Sequence, residues 1–304
     1  MVKSVLITGA NAGLGKDCAR QLALLDGVER VYLGCRNESK ARAALRDLEE
    51  TTGKSIFEIV QVDTSDLKSV RAAVASLPGA VDGLVMNAGG VGGSQFNEKT
   101  VDGVSQIFAV NLLGHVVLAE ELLKAGKLTG VADYAGSEAV RGVPEMGIKQ
   151  FPLKTSSVDE FATIADGTFY GDSKDPMAAY GLVKYMAALW MSTLARKHPG
   201  VRFVTMSPGA TTGTEALSKA PGFQRIMFTV MFQFMLLMGK VHRLEVGAKR
   251  YVDALTDESF KSGVFYASQK GVTGPVGDQS TIFADLNDTT IQDNASEAIH
   301  RFIR

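Results

Sequence analysis

Cysteine is nearly absent from the sequence. Cys18 and Cys35 are the only two in 304 residues, and neither their spacing nor their neighbours suggest a metal site. An excess of one charge is absent as well: 32 Lys and Arg against 33 Asp and Glu leave a formal net charge of −1. No global field therefore draws nucleic acid or an anionic membrane. The four histidines, His115, His198, His242 and His300, show no ligand spacing, and most read as surface or helix-end residues, so no metal is expected. Long apolar runs are missing too. The strongest, 223–238, has 12 apolar residues in 16, broken by Gln224, Arg225, Thr229 and Gln233. That is short of the roughly 20 residues a spanning helix needs. Residues 2–8 already read as a strand and leave no room for a signal peptide, so the expectation is a reduced, cytoplasmic protein without a transmembrane segment.

What is present is an ordinary globular balance, 45% hydrophobic and 21% charged, at a length that suits one large α/β domain over 1–304. Runs of strand length at 5–7, 28–33, 56–62, 83–86 and 201–206 alternate with helical patterns at 13–25, 39–51, 66–76 and 101–124. Such alternation implies βαβ crossovers and a parallel sheet covered on both faces. A weaker strand at 131–135 contains Asp133, which is costly in a doubly covered strand unless paired. Ser65 or Asp66 is read as the cap of the third helix, and Asp175-Pro176 as the start of the one carrying Tyr180. Two connections, 138–175 and 210–240, are long enough to suggest a role of their own.

After the first strand, Gly9, Asn11, Gly13, Leu14 and Gly15 run directly into a helix. Glycines admit a pyrophosphate close to the backbone, and the helix N-terminus offers N–H groups and a favourable dipole. The second strand ends at Cys35-Arg36-Asn37, with no acid placed to hold a ribose 2′-hydroxyl. Arg36 there favours a 2′-phosphate, and the expected cofactor is NADP(H). Asp63, closing the third strand, suits the adenine amino group, the start of the next helix, or both. Tyr180 and Lys184, at i and i+4, share one helix face, where a cation favours the phenolate.

Taken together and in this order, Thr8-Gly9, Gly13-Leu14-Gly15, Asn87-Ala88-Gly89, Asn111, Ser137, Tyr180, Lys184 and Pro208-Gly209 resemble the short-chain dehydrogenase/reductase family over residues 2 to 210. The resemblance implies a Rossmann-type doubly wound parallel sheet of six or seven strands with helices on both faces. It implies Tyr180 as proton donor in reduction and base in oxidation, with Lys184 lowering its pKa and holding the nicotinamide ribose. Ser137 would polarise the substrate oxygen, and Asn111 would support a water-linked relay to Lys184. Asn87, Ala88 and Gly89 would shape the cofactor cleft, while Pro208, Gly209 and Thr212 flank the nicotinamide.

The chain departs from the family in two places. Gly136 stands where a second Ser is common, and 42 residues separate Ser137 from Tyr180, far more than in compact members. The insertion at 138–175 resembles those of monomeric carbonyl reductases and protochlorophyllide reductases, and it favours a monomer over a homo-oligomer. Phe228, Met231, Phe232, Met235 and Met238, in the place of the family's substrate lid at 210–240, suggest an apolar carbonyl or alcohol substrate, and the same stripe reads equally as helix core or as a contact with a membrane surface. Two rival readings stand beside a carbonyl reductase: a protochlorophyllide- or retinoid-type reductase, and a catalytically silent NADP(H)-binding sensor or scaffold.

Overall fold

The computed structural model describes residues 2–144, 147–149, 152–171, 173, 175–212, 236 and 239–303. Its first apolar run forms β1 (Ser4–Thr8), which pairs in parallel with β2 (Arg30–Cys35) on one side and β4 (Val81–Met86) on the other. Side chains alternate across a strand. Leu6 accordingly enters one core with Tyr32 and Leu84, while Val5 and Ile7 enter the other with Leu33 and Val85. Both faces are buried, so the strands read as nearly continuous apolar runs.

The sheet continues through β3 (Phe57–Gln61), β5 (Leu128–Ala135), β6 (Arg202–Met206), β7 (Val264–Ser268) and β8 (Val276–Asp278) in the order β3-β2-β1-β4-β5-β6-β7-β8. It is a doubly wound α/β sheet of Rossmann type, as expected, with eight strands rather than six or seven. The eighth is a three-residue antiparallel edge strand, Val-Gly-Asp, which carries no apolar alternation in the sequence.

On one face lie α1 (Gly13–Ala23) and α2 (Glu38–Thr52), and on the other α3 (Leu67–Ser76). Asn37 caps α2 through Lys40 N, and Asp66, rather than Ser65, caps α3 through Lys68 N. The helix expected over 101–124 begins later. Residues 100–104 form a turn closed by Thr100 N and the Val104 carbonyl. A helical stretch follows in three parts: α4 (Gln106–Phe108), a π-helical turn (Ala109–Leu113) and α5 (Gly114–Lys124). It is the one stretch among the described residues long and apolar enough to cross a membrane, and it is mostly buried inside the protein. A Cβ on Gly114 would collide with the Thr64 carbonyl, so glycine lets this helix lie directly on the loop after β3.

Within the 138–175 connection, α6 (Val158–Asp166) packs beside α7 (Pro176–Lys197), its Phe161 ring 6.3 Å from Tyr185. Asp175 caps α7 by accepting from Met177 and Ala178 N–H, with Pro176 at the first turn. Two later helices, α8 (Leu244–Thr256) and α9 (Thr289–His300), complete the described layers. The α9 helix bridges to α5 through His300 and Glu120, 3.0 Å apart, and its Asn294 holds the Ser156 carbonyl ahead of α6.

Asp133 sits in the middle of the sheet on β5, fully buried, and neither carboxyl oxygen has a hydrogen-bond partner. Burial pushes its carboxyl well above the usual range, offset only in part by the Met206 backbone, Arg202 and Lys184. Burial thus favours the protonated form of the group.

Candidate active site

The turn between β1 and α1 is built for close approach. Gly9 and Gly13 adopt left-handed φ values of 68° and 56°, and a side chain on Gly13 would meet nothing within 4 Å. Gly15 is the opposite case: its Cβ would stand 2.6 Å from the Gly9 carbonyl and 2.5 Å from Asn87 Nδ2. No side chain caps α1 at Ala12, and no acid occupies its first turn. The helix thus presents uncapped N–H groups and its positive end to the cleft, the arrangement a pyrophosphate requires. Leu14 packs against the core beneath the turn, and Asn11 is partly buried within it. The Cys35 thiol lies against the backbone of Ala10 and Asn11, and burial pushes it up to about 11.

Asn87 and Ala88 follow β4 and donate their backbone N–H groups to Thr8 Oγ1, each at 2.9 Å, while Asn87 Nδ2 donates to the Thr8 carbonyl. Gly89 must be glycine, because a Cβ there would overlap Asn111 Oδ1. Asn111, in the π-helical turn, exchanges two 2.9 Å bonds with Gly90 through its side chain and donates to the Ile107 carbonyl.

The catalytic candidates converge at the C-terminal ends of β5 and β6. Ser137, just after β5, hydrogen-bonds Tyr180, which lies on the first turns of α7. Burial pushes the Tyr180 phenol up to about 12, while Ser137 pulls it back down. One turn on, Lys184 is buried with its ammonium 5.4 Å from the centre of the Tyr180 ring. It donates to the Ala135 carbonyl at 2.7 Å and to Tyr134 Oη at 3.3 Å. Burial pulls this ammonium down to about 7.

With that geometry in place, the comparisons with known proteins can be weighed. Residues 3–137 match the family model described as short chain dehydrogenase. The resemblance to the short-chain dehydrogenase/reductase family is borne out. Human retinol dehydrogenase 11 is 36% identical over 124 residues, 40% of this chain and 38% of that protein. The match thus spans well under half the length of this relative. Protochlorophyllide reductase B of rice (Oryza sativa subsp. japonica) is 29% identical over 286 residues, 87% of this chain and 69% of that one. The NADPH-bound carbonyl reductase from chicken fatty liver shares the fold with a TM-score of 0.58 at 18% identity, covering 90% of this chain and 99% of that one.

The sequence placed most candidates where they meet. Gly9, Asn11, Gly13, Leu14, Gly15, Asn87, Ala88, Gly89, Asn111, Ser137, Tyr180 and Lys184 all line or support one cleft at the C-terminal edge of the sheet. Pro208 and Gly209 follow β6, where Gly209 has a left-handed φ of 73° and a Cβ would stand 2.5 Å from the Val272 carbonyl, so glycine is required there. Thr212 N donates to the His242 carbonyl. Arg36 sits at the end of β2, largely exposed, 3.8 Å from Asp63 Oδ2. Asp63 caps no helix: its Oδ1 accepts from both the N–H and hydroxyl of Ser65. The apolar lid candidates Phe228, Met231, Phe232, Met235 and Met238 lie outside the described residues.

Three features escaped sequence reasoning. His115 is an exception among histidines that mostly read as surface or helix-end residues: it is fully buried on α5. Its Nδ1 faces the Asn111 carbonyl at 3.0 Å and its Nε2 faces Thr8 Oγ1 at 3.0 Å. A carbonyl cannot donate, so Nδ1 carries the proton and Nε2 accepts from Thr8. The four-residue spacing from Asn111 was the signal available. Tyr134 is the second feature and is taken up below. The third is a buried cluster beside Ser137: Glu138 accepts from Ser207 Oγ at 2.6 Å and Ser268 N at 3.0 Å, with Arg250 at 3.9 Å. Arg250 in turn donates to the Ser207 and Gly274 carbonyls and to His242 Nε2. These bonds tie the Ser137 turn to the ends of β6 and β7.

Burial lowers His115 to about 4, and this gives a pH signature. The unfolded chain takes up a proton near 6.5 and the folded chain does not, so stability falls as pH drops from 6.5 to 4. The span corresponds to about 3 kcal/mol. Urea melts at stepped pH should show this loss in the parent protein. His115→Gln, though less stable overall, should lack this part of the slope.

Proposed function

We propose that this chain is an NADP(H)-dependent oxidoreductase that interconverts a carbonyl and an alcohol, with Tyr180 as acid and base. The observation that carries the reading is the convergence of Ser137, Tyr180 and Lys184 beside an uncapped helix N-terminus. When bound, the nicotinamide would supply or receive the hydride. Gly9, Gly13 and Gly15 fit the group, because the glycine turn leaves open space over Gly13 and free N–H groups at α1.

In reduction, Tyr180 Oη gives its proton to the substrate oxygen, which Ser137 Oγ orients, and in oxidation it takes the proton back. Lys184 keeps a positive charge near the phenol. Its ammonium has three N–H donors, two of them spent on Ala135 and Tyr134, leaving the third for the ribose of the cofactor. Asn87, Ala88 and Gly89 wall the cleft, Pro208, Gly209 and Thr212 flank the nicotinamide, and Asp63 borders the adenine. A panel of aldehydes, quinones, small ketones and bulky apolar ketones, followed by NADPH absorbance, tests the reading. Tight NADPH binding without turnover on any of them would favour a silent sensor or scaffold.

Arg36 selects NADP(H) over NAD(H) in this reading, since its guanidinium is largely exposed and meets Asp63 at 3.8 Å. Arg36→Ala should weaken NADPH binding roughly 10- to 100-fold, the value of a charged hydrogen bond. NADH binding should change little. Isothermal titration with both cofactors checks it, and equal losses for the two would remove Arg36 from the phosphate site.

A second reading, a protochlorophyllide-type reductase, is favoured by the length of the rice match, which runs across 87% of this chain. Visible-region absorbance changes with that pigment distinguish it. We also propose a cytoplasmic monomer: α6 and α9 cover the outer side of α7, and α9 reaches α5 through His300–Glu120. Light scattering at micromolar concentration tests the monomer.

A further inference from the structure

The Asn111 carbonyl is where the family resemblance places a relay water, and two side chains already converge on it. Tyr134 Oη donates to it at 2.6 Å, and His115 Nδ1 donates at 3.0 Å. Tyr134 is fully buried on β5, on the face that packs against α5 and α7. Its hydroxyl proton is committed to Asn111, so the oxygen is free to accept, and the donor it faces is Lys184 Nζ at 3.3 Å. The same ammonium lies 4.5 Å from the centre of the Tyr134 ring, a cation–π contact in a desolvated setting.

We infer that Tyr134 is a positioning residue for Lys184, its hydroxyl standing in the place of a relay water and fixing the ammonium under the catalytic phenol. The arrangement holds Lys184 between the Ala135 carbonyl and Tyr134 Oη, so two of its three donors have set directions and the third has one left. It also closes the route on that side. Tyr134 can pass its proton only to an amide carbonyl, which keeps none, so Tyr180 must be reprotonated from the cleft. The inference rests on the proposed roles of Tyr180 and Lys184.

The other charged or titratable groups facing the ammonium are Tyr180 on its own helix, Asp133 on β5 and His115 on α5. Burial pushes the Asp133 carboxyl up and pulls His115 down to about 4, favouring the uncharged form of each, while any charge on Asp133 supports the ammonium. Among the described residues, Tyr134 Oη and the Ala135 carbonyl are the two groups that accept hydrogen bonds from the ammonium. Removing the Tyr134 hydroxyl should make the buried ammonium harder to keep.

The test is Tyr134→Phe, read first by NMR titration of Lys184 in protein carrying ¹³Cε-lysine, the signal assigned by its loss in Lys184→Met. The Lys184 midpoint should fall by about one to two pH units, the value of a hydrogen bond to a charged group. In alcohol oxidation, kcat should drop about tenfold at pH 7 with KM little changed, and the rising limb of its pH profile should move upward. An unchanged Lys184 midpoint in a folded variant would overturn the inference, because a merely structural tyrosine would alter stability alone. Should the variant not fold, the parent protein answers instead. A slowly exchanging Tyr134 hydroxyl proton with a nuclear Overhauser contact to the Lys184 ε-methylene supports it, and a freely exchanging hydroxyl refutes it. Neither NMR readout uses substrate, so a failed reductase reading and a failed positioning role are told apart.

Discussion

Tyr180→Phe is expected to lower turnover about 10³-fold, within the range that a positioned general acid contributes. The phenyl ring keeps its place on α7, and Lys184 keeps both its bonds, to Ala135 and Tyr134. What is lost is the one hydroxyl that Ser137 hydrogen-bonds and that faces the cleft. NADPH should therefore bind the variant within a few-fold of the parent protein. The loss should appear in kcat and kcat/KM alike, as for an interaction made in the transition state. Stopped-flow reduction with the best substrate of the panel measures both. Retention of a tenth or more of the parent rate would assign the proton to another group and undo the mechanism. The pH dependence has a fixed sign. Burial holds the phenol high, at about 12, so Tyr180 stays protonated for reduction through neutral pH, while oxidation rises with pH as the phenolate forms.

Gly15→Ala carries the second large effect, on cofactor binding. A methyl group there would enter the space of the Gly9 carbonyl and of Asn87 Nδ2, at 2.6 and 2.5 Å. The first is backbone of the turn, and the second is pinned by its bond to the Thr8 carbonyl. Neither yields cheaply, so α1 must move away from the turn. Overpacking of this kind costs about 1–3 kcal/mol of stability. The displaced N–H groups no longer converge on one point, and NADPH affinity should fall roughly 100-fold or more, since binding there depends on their direction. Gly79→Ala serves as the control, because it meets nothing within 4 Å and has no left-handed φ. Fluorescence titration of NADPH compares the two. Equal affinity in Gly15→Ala and the control would mean that the phosphates bind elsewhere.

Much of this was legible in the residues, and for physical reasons. The strands of the first half announce themselves because burial on both faces demands continuous apolar runs, as in Val5-Leu6-Ile7. Gly9, Gly13 and Gly15 were legible because only glycine satisfies a left-handed turn and a close helix approach at once. Tyr180 and Lys184 declared their shared face through their spacing on α7. The strand β8 stayed hidden because a short edge strand needs no alternating pattern. The start of α4 was misjudged because Val101 and Val104 continue an apolar spacing through what is a turn.

Other parts were illegible because they depend on contacts between distant segments. Tyr134 and Lys184 are 50 residues apart, and only the crossing of β5 and α7 brings them together. Glu138 and Arg250 meet through the ends of β6 and β7, and nothing near either in sequence signals the other. His115 looked like one more polar residue on a helix until the approach of β1 supplied Thr8.

Asp133 offers a different kind of opportunity, one for the bench rather than for the mechanism. A buried acid in the sheet weighs on shelf life, because burial pushes its folded-state pKa well above the 3.8 of the unfolded chain. Stability from this residue therefore shrinks as the solution is made more alkaline above that value. Asp133→Val would swap an unpartnered carboxyl for the side chain a doubly covered strand prefers, with a gain of about 1–3 kcal/mol at neutral pH. A heat-tolerant version for synthesis in mildly alkaline buffer would start from that one codon.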